Sequence, residues 1–353
     1  MKKLISVFLF IILTNIFFLD SVFPYWYEFE GVGMKKVGQA SMTFLQVGVI
    51  PNAVAMGEAY TSIGTGCESI FYNPSGLGEM TSRMSLLLSG VQYVADIKYT
   101  TAAIAFNLGN FGALGLHLVN VNYGEIVWTG LAVSPADVKG YREFGKLNNV
   151  SSYSYGVSYS RKISAKFLMG ATIKYVGQNL GQSRFSYIEV VDGDTTLSDV
   201  DHKNSESVFA YDMGVKFYPG FKSFRFGMYI RNFASSIKYE EITTQLPMTF
   251  AVGCGMNLFD FFNIDPKKGS LFASIEFTHP NNYTERLHIG LKFSYMNVFS
   301  AMCGYVTNKD EEGFSAGFSI SPQVGGRTME ISYSYTPLKI FNTINRFSIK
   351  ISL

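Results

Sequence analysis

The residues best suited to chemistry lie in one acidic run, VVDGDTTLSDVDHKN, which holds Asp192, Asp194, Asp199, Asp201 and His202. A calcium loop needs oxygen ligands at alternate positions, a glycine at the sixth and a bidentate glutamate at the twelfth. The aspartates here miss that spacing and no glutamate closes the run, so it reads as a solvated polar connection. The four histidines, His117, His202, His279 and His288, are scattered, and none has a second ligand at a useful metal spacing. Cys67, Cys254 and Cys303 cannot all pair within one chain, and no two have metal-ligand spacing. Nucleophilic catalysis would need an activated serine beside a histidine and a carboxylate, and no such pairing stands out. Glycines such as Gly253, Gly255, Gly325 and Gly326 do not stand between a strand and a helix, which excludes a phosphate loop. The reading is a non-enzymatic protein with no metal and no cofactor.

Composition points the same way. Twenty-nine basic and 27 acidic residues give a net charge of +2, and no basic stripe marks a nucleic-acid partner. Only 16% of residues are charged, well below the roughly 25% of soluble domains. Another 16% are aromatic, with 31 Phe and 22 Tyr, and no long apolar run follows the N-terminus. A membrane β-barrel has this profile, because its strands alternate and keep total hydropathy modest.

The alternation is explicit. Leu287, Ile289, Leu291, Phe293 and Tyr295 stand against His288, Gly290, Lys292 and Ser294. Phe250, Val252, Cys254, Met256 and Leu258 stand against Ala251, Gly253, Gly255 and Asn257. The segments at residues 329–336 and 346–353 repeat the pattern. Large apolar residues in one phase and Gly, Ser or charge in the other are the lipid-out, lumen-in signature of a transmembrane strand. A soluble secreted sandwich, the competing fold, should carry more Lys and Glu on its outer face. Counting such segments predicts about fourteen strands. Their starts lie near Arg83, Ile97, Phe111, Ser152, Lys166, Val208, Ser223, Pro247, Ser270, Arg286, Val298, Gly313, Met329 and Arg346. The fold class predicted is all-β, a transmembrane antiparallel barrel with a filled, narrow lumen. Two long connections, residues 124–150 and 183–207, should be loops on the outer face. Tyr93, Tyr99, Tyr123, Tyr153, Tyr187, Tyr239, Tyr283 and Tyr305 fall near strand ends, as an interfacial aromatic girdle requires.

Residues 44–80 break the alternation. Ala53, Met56, Gly57 and Tyr60 share one helical face, so a helix is predicted from Ala53 to Tyr60. A second helical piece from Glu68 should stop at Tyr72, because Asn73 precedes Pro74 and is pushed out of the helical region. Gly76 and Gly78 supply a turn. A compact small-residue segment ahead of repeated hairpins predicts a plug held inside the barrel.

That segment carries a resemblance. Its pattern FLxxGxxxxAxAMGxAYTxIxxxxxSIFYNPSGL resembles the N-terminal signature of the PorV/PorQ-like (UPF0164) outer-membrane proteins, relatives of the FadL long-chain fatty-acid transporters. The matching residues include Phe44, Leu45, Gly48, Ala53, Ala55, Met56, Gly57, Ala59, Tyr60, Phe71, Asn73, Pro74, Gly76 and Leu77. LPMTFAVG, SIEF, GFSAGFSI, ISYSY and RFSIKISL extend the resemblance to the C-terminus. Where the family often has an arginine and an aspartate pair, this chain has Val54 and Thr65-Gly66-Cys67, so the ion pair those residues make elsewhere is not expected here. The resemblance implies an outer-membrane location and a barrel of the FadL type with an N-terminal plug. It implies a non-catalytic partner of secretion-system or secreted surface proteins, or else passage of a hydrophobic small molecule along a path that Phe71 and Tyr72 would line.

Met1-Lys2-Lys3 followed by an apolar run to Leu19 reads as a secretory signal peptide. The predicted organisation is a signal over residues 1–22, a flexible mature N-terminus over 23–43, a plug over 44–82 and a barrel over 83–353.

Overall fold

The structure, a computed structural model, describes residues 39–131, 139–147, 150–191, 194–239, 242–262, 264–265 and 268–353. The signal segment and most of the predicted flexible N-terminus lie outside the described residues.

Fourteen antiparallel strands close on themselves. They are β1 (Met84–Gln92), β2 (Lys98–Asn107), β3 (Ala113–Asn122), β4 (Ser151–Ser164), β5 (Phe167–Val191), β6 (Asp194–Phe217) and β7 (Arg225–Ala234). Then follow β8 (Thr249–Asn257), β9 (Gly269–Pro280), β10 (Arg286–Tyr295), β11 (Phe299–Val306), β12 (Phe314–Ile320), β13 (Arg327–Thr336) and β14 (Ile344–Ser352). Each strand pairs with its sequence neighbours, and β14 pairs with β1 in the register Leu88↔Ile349. Closure follows from the solvent: an open edge in hydrocarbon would leave backbone N–H and C=O groups unpaired, at several kcal/mol each.

The two strand phases separate as the alternation predicts. Leu88 is 52% exposed, Ile173 54% and Phe209 56%, all on the outside. Ser89, Ser152, Ser158, Ser274 and Ser334 are buried within. Tyr153 stacks on Tyr155 of its own strand, and Tyr153, Tyr175 and Phe209 pack ring to ring across neighbouring strands, with centroids 5.2–6.1 Å apart. Tyr93, Tyr99, Tyr123 and Tyr239 depart from the predicted girdle. Tyr99 is buried beside Tyr93, 5.8 Å between centroids, and Tyr93, Tyr123 and Tyr239 pack against the interior cluster. Their phase in the strands and neighbouring loops points inward, where hydroxyl partners such as Ser152 and Gln178 wait. The side chain of Tyr187 lies outside the described residues.

Thirteen of the fourteen strand starts fall within two residues of the predicted places, and the exception is informative. β6 begins at Asp194 rather than near Val208, and β5 runs on to Val191. These strands have 25 and 24 residues, against 9 or 10 for most others and roughly 9–11 needed to span a bilayer. The predicted loop 183–207 is therefore a continuous hairpin. Its sequence is polar in both phases, which suits a ribbon standing in water. A bulge between Asn179 and Gln182, with Gly181 at φ 89°, marks where the hairpin leaves the barrel wall. The other predicted loop, 124–150, also contains a hairpin, Ile126–Leu131 paired with Tyr141–Leu147.

Both hairpins lie at the end of the barrel opposite the two ends of its sheet, Met84 and Ser352. Long connections on one side and turns such as 108–112 and 165–166 on the other orient the molecule, hairpins outward and short turns to the periplasm. The tight turn at Lys309–Glu311 is an exception, since it lies on the outer side.

Candidate functional site

Residues 40–80 run down the inside of the barrel. Ala40 bridges Gln245 at the outer end, and Gln46 and Asn282 exchange side-chain hydrogen bonds of 2.9 and 3.1 Å. Phe44, Ile50, Met56, Ile70 and Leu77 are buried in one cluster with barrel residues such as Leu87 and Val121. Removing each such side chain from water is worth roughly 1.5–3 kcal/mol.

The helix occupies Pro51–Ala55, two residues earlier and much shorter than predicted. It stops because Gly57 (φ 61°) and Glu58 (φ 66°) turn left-handed. That turn lays Met56 and Gly57 flat against the wall. A Cβ at Gly290 would meet the Met56 carbonyl oxygen at 2.5 Å, and one at Gly304 would collide with the Met56–Gly57 backbone. His288 takes the Gly57 carbonyl at 2.7 Å with one ring nitrogen and Thr278 at 3.0 Å with the other, so this histidine is structural. The second piece is a 3-10 helix, Gly66–Phe71, and it ends where Pro74 demands. Asn73 is the pivot of the NPSGL motif. It accepts from Ser75 N–H and Ser75 Oγ and donates to the Thr61 and Val215 carbonyls, both at 3.0 Å. The Pro74–Ser75 backbone sits 2.5 Å from where a Cβ on Gly170 would be, so the wall needs glycine there.

Charges pin the plug. Glu68 is buried and receives Lys350 at 2.8 Å, Tyr60 hydroxyl at 2.6 Å and Asn52 at 3.1 Å. Lys350 also holds Glu330 at 2.8 Å. Arg346 donates to the Gly48 carbonyl at 2.8 Å, Arg231 to the Phe71 carbonyl, and Thr61 N–H donates to Glu276 at 2.9 Å. Glu79 receives Lys216 at 3.2 Å and the Tyr218 hydroxyl. Val54, at the family's arginine position, is simply buried, and plug–wall ion pairs are made by Glu68 with Lys350 and Glu79 with Lys216. The motif reading missed these wall residues. A signal existed: Glu276, Glu330, Arg346 and Lys350 are charges in the Gly/Ser phase of strands, and a charge there needs a partner inside.

The signature residues divide by level. Phe44, Leu45, Gly48, Phe71 and Tyr72 line one cavity of about 50 Å³, together with His117, Lys174, Asp212 and Arg231. Phe71 stands edge-on to His117, with centroids 5.3 Å apart. A second cavity of about 30 Å³ shares Tyr72 and Arg231. Ala55, Met56, Gly57 and Ala59 pack against the wall lower down, and Asn73, Pro74, Gly76 and Leu77 fill the periplasmic half. Among the described residues no three His, Cys, Asp or Glu side chains converge for a metal, and the three cysteines are free.

Outside the barrel the two hairpins meet. Arg184 lies over the rings of Trp128 (4.7 Å) and Phe144 (4.9 Å) and makes paired hydrogen bonds to Asp201 at 2.6 and 2.8 Å. Those bonds hold the Asp201 carboxyl below its ordinary range. The clamp joins residues from four separate strands, and nothing in local sequence signals it.

Residues 135–343 match the family described as type IX secretion system membrane protein PorP/SprF. No curated protein sequence matches the chain. Among solved structures, the chain is similar to the toluene transporter TodX of Pseudomonas putida, with a TM-score of 0.56 at 11% identity over 86% of this chain and 97% of that one. It is also similar to the CymD monoaromatic hydrocarbon channel, with a TM-score of 0.52 at 12% identity over 87% of this chain and 97% of that one. At such identities these likenesses establish the shared barrel.

Proposed function

This chain belongs to the PorP/SprF family of type IX secretion membrane proteins, and from that membership we propose that it is a non-catalytic outer-membrane partner in secretion or cell-surface protein assembly. The barrel anchors it in the outer membrane, and the two outer hairpins are the surface that secreted proteins meet. The observation that carries this reading is the division of labour in the geometry. The lumen is packed, while β5 and β6 project about 12 residues beyond the wall, roughly 40 Å at 3.3 Å per residue. The resemblance of the plug motif to PorV/PorQ-like proteins supports the same association with secretion, under a different family name.

A second reading is passage of a hydrophobic small molecule, favoured by the barrel shared with hydrocarbon channels and by the aromatic cavity at Phe71 and Tyr72. The cavities weigh against it. An apolar cavity of roughly 150 Å³ accommodates benzene, and those beside the plug are about 50 and 30 Å³. Transport would require the pinned plug to move.

The test replaces residues 183–202 by an Asn-Gly turn joining Gln182 to Lys203, in cells that display secreted proteins. Loss of display with normal barrel levels, judged by heat-modifiable mobility, is expected. Unchanged display overturns the partner role.

A further inference from the structure

The partner reading leaves open how a secreted protein is held, and the hairpin supplies a means. β6 is paired with β5 along its whole length, but with β7 only from Ala210 onward. Tyr239, from the connection after β7, reaches across to donate to Gln178 at 3.1 Å, at the level of Glu206. Beyond that level, among the described residues, residues 194–205 of β6 have a hydrogen-bonded neighbour on one side only. A strand in that position presents a row of unpaired N–H and C=O groups, a template for another strand. Exposed edges are blunted by proline, bulges, brevity or charged side chains, and here only charge does so, nearly all of one sign. This one has twelve residues, twice the usual strand length, and contains neither proline nor glycine. It is also held in place, because Arg184 on the adjoining strand is clamped between Trp128 and Phe144.

We propose that the open edge of β6, residues 194–205, docks an extended lysine- or arginine-bearing segment of a secreted protein as an added β-strand. The inference rests on the partner role above and specifies the contact. Main-chain hydrogen bonds give the affinity in such strand addition, and side chains give the selectivity. The charge follows from the sequence of the edge: residues 194–206 hold Asp194, Asp199, Asp201 and Glu206 against a single lysine, Lys203. A second copy of the chain would bring carboxylates against carboxylates, and like charges opposite one another on paired strands are unfavourable. A basic segment brings the complementary sign. Asp201 is held by Arg184, so the selectivity comes from the net negative charge of the stretch as a whole, which the sequence fixes at four acidic residues against one lysine.

The experiment uses the full chain in mild detergent and two fluorescent ten-residue peptides in which lysine and threonine alternate. One has natural amides; the other is methylated at alternate backbone nitrogens, so it carries the same charges but cannot form the ladder. Anisotropy should show the natural peptide binding at least tenfold more tightly. The variant Asp194→Lys/Asp199→Lys/Glu206→Lys should weaken its binding at least tenfold, with the barrel still heat-modifiable. Equal binding of the two peptides, or no effect of charge reversal, overturns the proposal. So does an edge-to-edge dimer of the chain in sedimentation. In cells the two ideas separate. If the hairpin deletion abolishes display of secreted proteins and charge reversal leaves it intact, edge docking fails and the partner role stands. If the deletion leaves display intact, the partner role itself fails.

Discussion

Inside the membrane and above it, this chain solves opposite problems with the same secondary structure. The barrel wall keeps large apolar side chains outward and Ser, Gly and charge inward, and the plug consumes the inward polar groups one by one. The outer hairpins have water on both sides, so burial cannot hold them. The Arg184 guanidinium, lying over the Trp128 and Phe144 rings and bonded to the Asp201 carboxylate, does so instead. The difference predicts which changes are costly. Contacts between plug and wall are buried and unforgiving; contacts between hairpins are exposed and worth little individually.

The sharpest way to break the comparison is Lys350→Met. It strips Glu68 and Glu330 of their shared cation and leaves buried carboxylates unpaired, at a cost of about 3–5 kcal/mol. The unfolding midpoint of the detergent-solubilised protein should fall, and the plug should become cleavable by added protease. Adding Glu68→Gln and Glu330→Gln should restore much of the loss. An unchanged midpoint for Lys350→Met would show that the plug is not pinned by charge.

Next in size is Gly304→Ala, which drives a methyl group into the Met56–Gly57 backbone and should cost about 1–3 kcal/mol. Gly90→Ala is the control, since a Cβ there meets nothing within 4 Å, and its midpoint should barely move. Equal effects at the two positions would mean that the plug does not press on the wall at Gly304.

Arg184→Ala tests the other side of the comparison. Loss of two cation–ring contacts, about 0.5–1 kcal/mol each at exposed sites, should free the hairpins from each other and shift Trp128 emission toward that of a solvated indole. A Trp26→Phe background leaves Trp128 as the sole tryptophan. The barrel midpoint should stay within about 0.5 kcal/mol of the parent.

The smallest effect is that of pH. Arg184 lowers the Asp201 carboxyl, so the pair stabilises the hairpins above the ordinary aspartate pKa of about 3.9. That contribution is lost as pH falls through the lowered value. Trp128 emission should therefore be flat from pH 5 to 8 and change only in more acidic solution. A transition near neutrality would mean that another group holds the clamp.

Much of the barrel is legible in the sequence because lipid imposes a strict period of two. Leu287 to Tyr295 could be assigned to faces residue by residue, and the Gly/Ser phase foretold a filled lumen. The start of β6 at Asp194 escapes the alternation for the converse reason. Once β6 leaves the membrane, no solvent contrast marks its faces, and DTTLSDVDHKN looks like a loop. The short helix was misjudged because its end is set by the wall at Gly290 and Gly304, far along the chain. The plug motif places the end of the second helical piece before Asn73-Pro74, but not the partners of Asn73, the Thr61 and Val215 carbonyls. Nor does it give Lys350 or Arg346, whose partners depend on the closing pair β14–β1. The Trp128–Arg184–Phe144 clamp has no sequence signature, being formed by three strands whose contact depends on how two hairpins lean.

The central claim, a plugged anchor that presents a binding platform, is met most directly by isolating the tagged protein from outer membranes in mild detergent. Mass spectrometry then identifies the proteins and lipids that come with it. The account predicts a stoichiometric secreted or surface protein that disappears when residues 183–202 are replaced by the Asn-Gly turn. A chain that comes down alone, carrying a bound fatty acid or another apolar small molecule, would contradict it and make the barrel a channel.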